Sequence, residues 1–77
     1  MVRLIPISGK EMCKLVEKLG FKRVHQVGSH VRYIHPDGRR TVVPVHGNED
    51  LNIWLLKEIL KQIKVSRDEY EKLRRKI

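Results

Sequence analysis

The chain reads as a single α+β domain, a two-layer sandwich in which helices cover one face of a three-stranded antiparallel meander. Three observations predict it. Two S-x-x-E patterns, Ser8 with Glu11 and Ser66 with Glu69, have the form of capping boxes and mark helix starts. Between them lie three short β-type runs, separated by Gly28-Ser29 and by Pro36-Asp37-Gly38, and turns this short join antiparallel neighbours. The length, 77 residues, is that of one domain with a modest core.

Taken in order, Met1 to Pro6 is a short apolar lead-in. The first helix is expected from Ser8 to Leu19. Its apolar stripe is Met12, Leu15, Val16 and Leu19, while Lys10, Lys14, Glu17 and Lys18 fall largely on the other side, and Gly20 ends it. Phe21–Val27, His30–His35 and Arg39–Val45 are the expected strands. Pro44 has no N–H for a ladder, which places the third strand at a sheet edge. Alternation along the second strand puts Val31 and Tyr33 against the helices and His30, Arg32 and Ile34 on the open face.

His46 to Asp50 is a polar connection. Leu51, Trp54, Leu55, Ile59, Leu60 and Ile63 then describe an amphipathic helix ending near Lys64, capped by Asn48 or Asn52. A short final helix runs from Ser66 to about Arg75 and turns Tyr70 and Leu73 inward. The basic tail, Lys72 to Ile77, is expected to fray. There is no internal repeat, low-complexity stretch or interdomain linker, so one domain spans 1–77.

Charge narrows the partners. Lys and Arg number 17 against 9 Asp and Glu, a net charge of +8 with an isoelectric point near 10.1. Such an excess suits a polyanion: RNA, DNA, an acidic protein or an anionic membrane. The basic residues interleave with the strands, which favours nucleic acid over a merely well-solvated surface. A core this small leaves little room for a deep pocket, so function is expected on a surface or in a shallow groove. The lone Cys13 offers no disulfide framework, and its place in the helical stripe reads as a small buried residue. No apolar run reaches membrane-spanning length and no signal-peptide core opens the chain, so a cytoplasmic location and no membrane partner are expected.

The side chain best placed for chemistry is His30. The turn formers Gly28 and Ser29 set it at the start of a strand, at a sheet end open to a large substrate. A histidine can take and return a proton near neutral pH. In RNA such a base frees the 2′-oxygen to attack the adjacent phosphorus, in principle without a metal. The extra negative charge of the transition state would be met by N–H groups of Gly28 and Ser29 and by Arg32, Lys22 or Arg23. These residues with Arg39 and Arg40 form a patch that could track an RNA backbone. The plain alternative is a surface histidine beside a turn. His25, His35 and His46 with Cys13 show no compact metal-ligand spacing, and no metal or small-molecule cofactor is expected. His35 reads as a turn residue. His46 reads as an exposed loop residue, or as a second acid–base group facing the region of His30. Trp54 reads as core or interface packing rather than as a base-stacking platform.

Longer stretches carry a family likeness. Ser8-Gly9-Lys10-Glu11, Leu19-Gly20-Phe21, Gln26-Val27-Gly28-Ser29-His30, Pro36-Asp37-Gly38-Arg39-Arg40, Val43-Pro44-Val45-His46, Ile59-Leu60-Lys61-Gln62 and Val65-Ser66-Arg67-Asp68-Glu69 follow one another over nearly the whole chain. In this ordered combination the sequence resembles the HicA toxins, small ribonucleases of bacterial and archaeal toxin–antitoxin pairs. The resemblance implies a double-stranded-RNA-binding-domain-like fold, whose helix, three strands and helix match the order read above. It also implies an mRNA interferase that needs no metal, His30 as the catalytic histidine, and a HicB-like antitoxin that blocks that histidine. One departure is Trp54-Leu55, where the family has Gly-Thr ahead of a leucine; it bears on the start of the second helix or on an interface. Two other readings stand beside this one, a non-catalytic RNA-binding module and a protein-interaction domain with an acidic partner.

Overall fold

In the computed structural model, which describes residues 3–77, the order is α1 (Gly9–Lys18), β1 (Lys22–Val27), β2 (His30–Ile34), β3 (Arg40–Pro44), α2 (Ile53–Ile63) and α3 (Arg67–Arg74). The strands form one antiparallel sheet in the order β1-β2-β3, with β3 at an edge. This is the α+β architecture expected from the sequence. Of the apolar lead-in, Met1 and Val2 lie outside the described residues and Leu4 is buried, as is Ile7 just after it.

Each helix begins where a side chain satisfies its first free N–H groups. At α1, Ser8 Oγ accepts from the Glu11 amide at 3.2 Å and Glu11 Oε1 accepts from the Ser8 amide at 3.0 Å. Ser66 and Glu69 repeat the box at α3. Asn52, not Asn48, caps α2, its Oδ1 accepting from the Leu55 amide at 2.8 Å. The helix closes on Lys64, which takes the left-handed conformation at φ 56°.

The strands are shorter than the sequence suggests because their expected end residues have other work. Phe21 leaves β1 for the core; the His35 ring meets it edge-on at 5.0 Å, and the Arg39 guanidinium lies over it at 5.1 Å. Arg39 is not in β3. It donates to Asp37 Oδ2 at 2.8 Å and to the Ile63 carbonyl, tying the β2–β3 turn to the end of α2.

The helices cover one face of the sheet, and both α1 and α2 pack on β3. That inner face supplies Val31, Tyr33 and Val43 to a core with Met12, Leu15 and Val16 of α1. Thr41, the polar member of the inner face, donates to Gln62 Oε1 at 2.7 Å. From α2 come Leu56, Ile59, Leu60 and Ile63, spaced i, i+3, i+4, i+7. This corrects the expected stripe. Trp54 lies two positions out of phase with it, is 75% exposed, and stacks under Lys57 with Nζ 4.9 Å from its ring. Leu55 is only partly buried. On α3, Tyr70 is buried as expected and its hydroxyl donates to the Ile5 carbonyl, joining the two ends of the chain; burial pushes its pKa up to about 12.

Candidate functional site on the open sheet face

Val27 pairs with His30, so Gly28 and Ser29 alone make the β1–β2 turn. Gly28 has φ +57° and Ser29 a negative φ, the sign pattern of a type II′ hairpin, which takes glycine at its first central position. A hypothetical Cβ there meets nothing within 4 Å, so the backbone angle, not space, requires glycine. Two hydrogen bonds brace the turn. The Ser29 carbonyl accepts from the Val45 amide at 2.7 Å, and the Gly28 carbonyl accepts from the Gln26 side chain at 3.1 Å. His30 is thereby the first residue of β2, exposed, between Val27 on one neighbour and Pro44 on the other.

Directly paired residues share a face, so the register maps the open side as three rows. Val27, His30 and Pro44 form the first; His25, Arg32 and Val42 the second; Lys22, Ile34 and Arg40 the third. A bulge at Val24 interrupts β1 between Arg23 and His25. Plain alternation back from Val27 would put Arg23 on the open face. The extra residue reverses that, giving Lys22 to the open face and Arg23 to the helix side opposite Tyr33. There Arg23 lies 3.5 Å from Glu17 and donates to the Tyr33 hydroxyl at 3.3 Å, while that hydroxyl donates to Glu17. Burial first, then the adjacent Cys13 thiol and Glu17 carboxylate, hold the Tyr33 phenol well above the usual tyrosine range. Burial likewise raises the pKa of the Cys13 thiol.

The structure therefore brings together Gly28, Ser29, His30 and Arg32. Lys22 shares their face but sits one row beyond Arg32 and two rows from His30, about 13 Å from the latter along the strand. Arg23 is on the reverse side, engaged with Glu17 and Tyr33. Arg32 and Arg40 flank a shallow hollow of about 470 Å³, floored in part by Val24, Ile34 and Val42. Val24 and Val27 are each more than half exposed, so apolar surface alternates with cations across the face.

The other histidines separate cleanly. His35 is fixed in its turn, Nε2 3.1 Å from the Leu19 carbonyl and Nδ1 accepting from the Asp37 amide at 3.1 Å. Exposed His46 lies beyond β3, beside a hollow lined by Glu49 and Asp50. His25, weighed from sequence only as a metal ligand, stands opposite Arg32 in the second row. Its i−2 spacing from Val27 was the available signal, but the pairing that makes it a neighbour of Arg32 is a property of the sheet. Among the described residues no three His, Cys, Asp or Glu side chains converge in a way that could hold a metal ion, and no helix is long and apolar enough to cross a membrane.

A flat basic face of this kind can follow an extended polyanion. On such a face Arg32 and Arg40 can pair with anionic groups, the exposed valines offer apolar contact, and His30 offers ring nitrogens that can donate or accept a hydrogen bond. Fold and site define a class: a small, strongly basic α+β domain that offers a histidine beside an arginine on an open sheet rather than in a cleft. The chain belongs to the HicA toxin family, whose model, described as the HicA toxin of bacterial toxin–antitoxin, matches residues 9–65. The match runs from the start of α1 to just past α2 and takes in every row of the open face. Membership supports a toxin role, with a toxin–antitoxin partner in general terms. No curated protein matches the chain.

Proposed function

We propose that the chain is the toxin of a type II toxin–antitoxin pair and acts as an endoribonuclease on mRNA, with His30 as its general base and no metal in the reaction. The observation that carries this reading is the exposure of His30 at the head of β2, with Arg32 two residues further along the same face, in a chain of the HicA toxin family. Single-stranded mRNA lies across the open face with its phosphates toward Arg32, Arg40 and Lys22. His30 takes the 2′-hydroxyl proton, and the freed oxygen attacks phosphorus. Arg32 and the N–H groups of Gly28 and Ser29 meet the charge that builds on the phosphoryl oxygens. A HicB-like antitoxin that docks on this face would cover the histidine. The substrate places the protein in the cytoplasm.

The test is cleavage of single-stranded RNA in EDTA by the wild type and by His30→Ala. Loss of a positioned general base costs about 100- to 10,000-fold in rate, so the variant is expected to be silent while the wild type cuts. A single 2′-deoxy nucleotide at the cut site should abolish cutting there. Equal cleavage by both proteins, or cutting at the deoxy position, refutes the reading. Salt-dependent binding without cleavage by either protein would make the chain an RNA-binding module instead.

A further inference from the structure

We propose that His25 is the general acid of this same reaction, delivering a proton to the departing 5′-oxygen while His30 takes the 2′ proton. The inference rests on the reading of the chain as a ribonuclease.

The register puts three side chains at the corners of a triangle on one face. His25 is directly opposite Arg32, and Arg32 is two residues from His30. Cross-strand partners have Cβ atoms about 4.5–5.5 Å apart, and diagonal neighbours such as His25 and His30 lie about 7–8 Å apart. All three residues are exposed. A phosphodiester held by the Arg32 guanidinium between His25 and His30 is therefore within reach of both imidazoles. The bulge at Val24, immediately before His25, turns Arg23 to the reverse face and brings Lys22 to this one.

The charges around His25 fit an anionic ligand. Arg32 faces it across the ladder, Lys22 lies in the next row, and Arg40 lies beyond β2. The three rows contain no carboxylate; Glu17 of α1 is on the reverse face, paired with Arg23. His46 is placed less well. It stands outside the ladder beside Glu49 and Asp50, whose charges oppose a phosphate.

The chemistry calls for two groups. In an in-line displacement the attacking and leaving oxygens sit on opposite sides of phosphorus, so one imidazole does not serve both at once. The O2′–P bond forms as the P–O5′ bond breaks. The 2′ proton ends on His30 and the proton of His25 ends on O5′, leaving a 2′,3′-cyclic phosphate and a 5′-hydroxyl. His30 then gives its proton to water and His25 regains one, so none is consumed.

The experiment uses an oligoribonucleotide with a site the wild type cuts, made in two forms: the natural one, and one with the bridging 5′-oxygen at that site replaced by sulfur. A thiolate leaves without protonation. His25→Ala and His25→Gln should lose about 100- to 10,000-fold on the oxygen substrate and return to within about tenfold of wild type on the sulfur one. Their pH–rate profile on the oxygen substrate should lose its falling limb at high pH. His30→Ala should stay silent on both substrates. Wild-type rates for the His25 variants on oxygen, an equal loss on both substrates, or sulfur rescue of His46→Ala instead, each overturn the assignment while leaving the ribonuclease reading intact. Absence of wild-type cleavage in EDTA removes that reading, and this one with it.

Discussion

Replacing Gly9 with alanine should destabilise the fold from a place that looks harmless in sequence. Gly9 is the first residue of α1 and is buried against the end of β3. An added Cβ would run into the Pro44 carbonyl oxygen and lie 3.0 Å from Val45 Cα and 3.1 Å from the Pro44 carbonyl carbon. All three are backbone atoms, so no side-chain rotation relieves the clash. Alanine gains up to about 1 kcal/mol of helix propensity over glycine, but overpacking of this kind costs about 1–3 kcal/mol. The clash involves backbone, so the upper part of that range applies and a net loss of about 1–2 kcal/mol is expected. For a domain of this size each kcal/mol moves Tm by about 4–8 °C, so Tm should fall by about 4–16 °C in thermal circular dichroism. The Val45 amide, which donates to the Ser29 carbonyl at 2.7 Å right beside the clash, should also lose hydrogen-exchange protection. An unchanged or higher Tm would refute the close approach.

Glu71 gives a pH signature. The guanidinium of Arg74 at 2.7 Å, then that of Arg75 at 2.8 Å, lower its pKa from 4.5 to about 2. A pKa lower in the folded than in the unfolded state means stabilisation that is full above pH 4.5 and fades as the pH falls toward about 2. The wild-type urea midpoint should drop across that window more steeply than that of Glu71→Gln; parallel curves would contradict the pairing. Trp54→Ala should change urea stability by no more than about 0.5 kcal/mol, because surface substitutions away from special features rarely do more. A loss well above about 1 kcal/mol would return Trp54 to the core.

Local chemistry made much of this fold legible. Capping boxes at Ser8 and Ser66 start helices where they stand, and Gly28-Ser29 sets a two-residue hairpin that delivers His30 to the open face. Alternation along β2 sorted Val31 and Tyr33 from His30 and Arg32 correctly. What stayed hidden depends on partners. The Val24 bulge, which exchanges the faces of Lys22 and Arg23, has no glycine or proline to announce it. At the start of α2, apolar residues at 51, 53, 54, 55 and 56 allow several helical phases, and only packing on β3 selects the one that excludes Trp54. Arg39 reads as a strand residue until Phe21, Asp37 and the end of α2 are all beside it. His25 gains its meaning from the pairing that sets it opposite Arg32.

The division of β2 into an inner and an outer set of residues has an evolutionary consequence. Val31 and Tyr33 are 2% and 1% exposed and anchor the core, whereas His30 and Arg32 point to solvent. On the proposed reading, the residues that make the protein harmful contribute almost nothing to keeping it folded. If His30 is the general base, one codon change at position 30 disarms the toxin and still leaves a stable, correctly shaped protein. The same codon reverts as easily, so silent and armed copies can be exchanged within a population without the scaffold being lost.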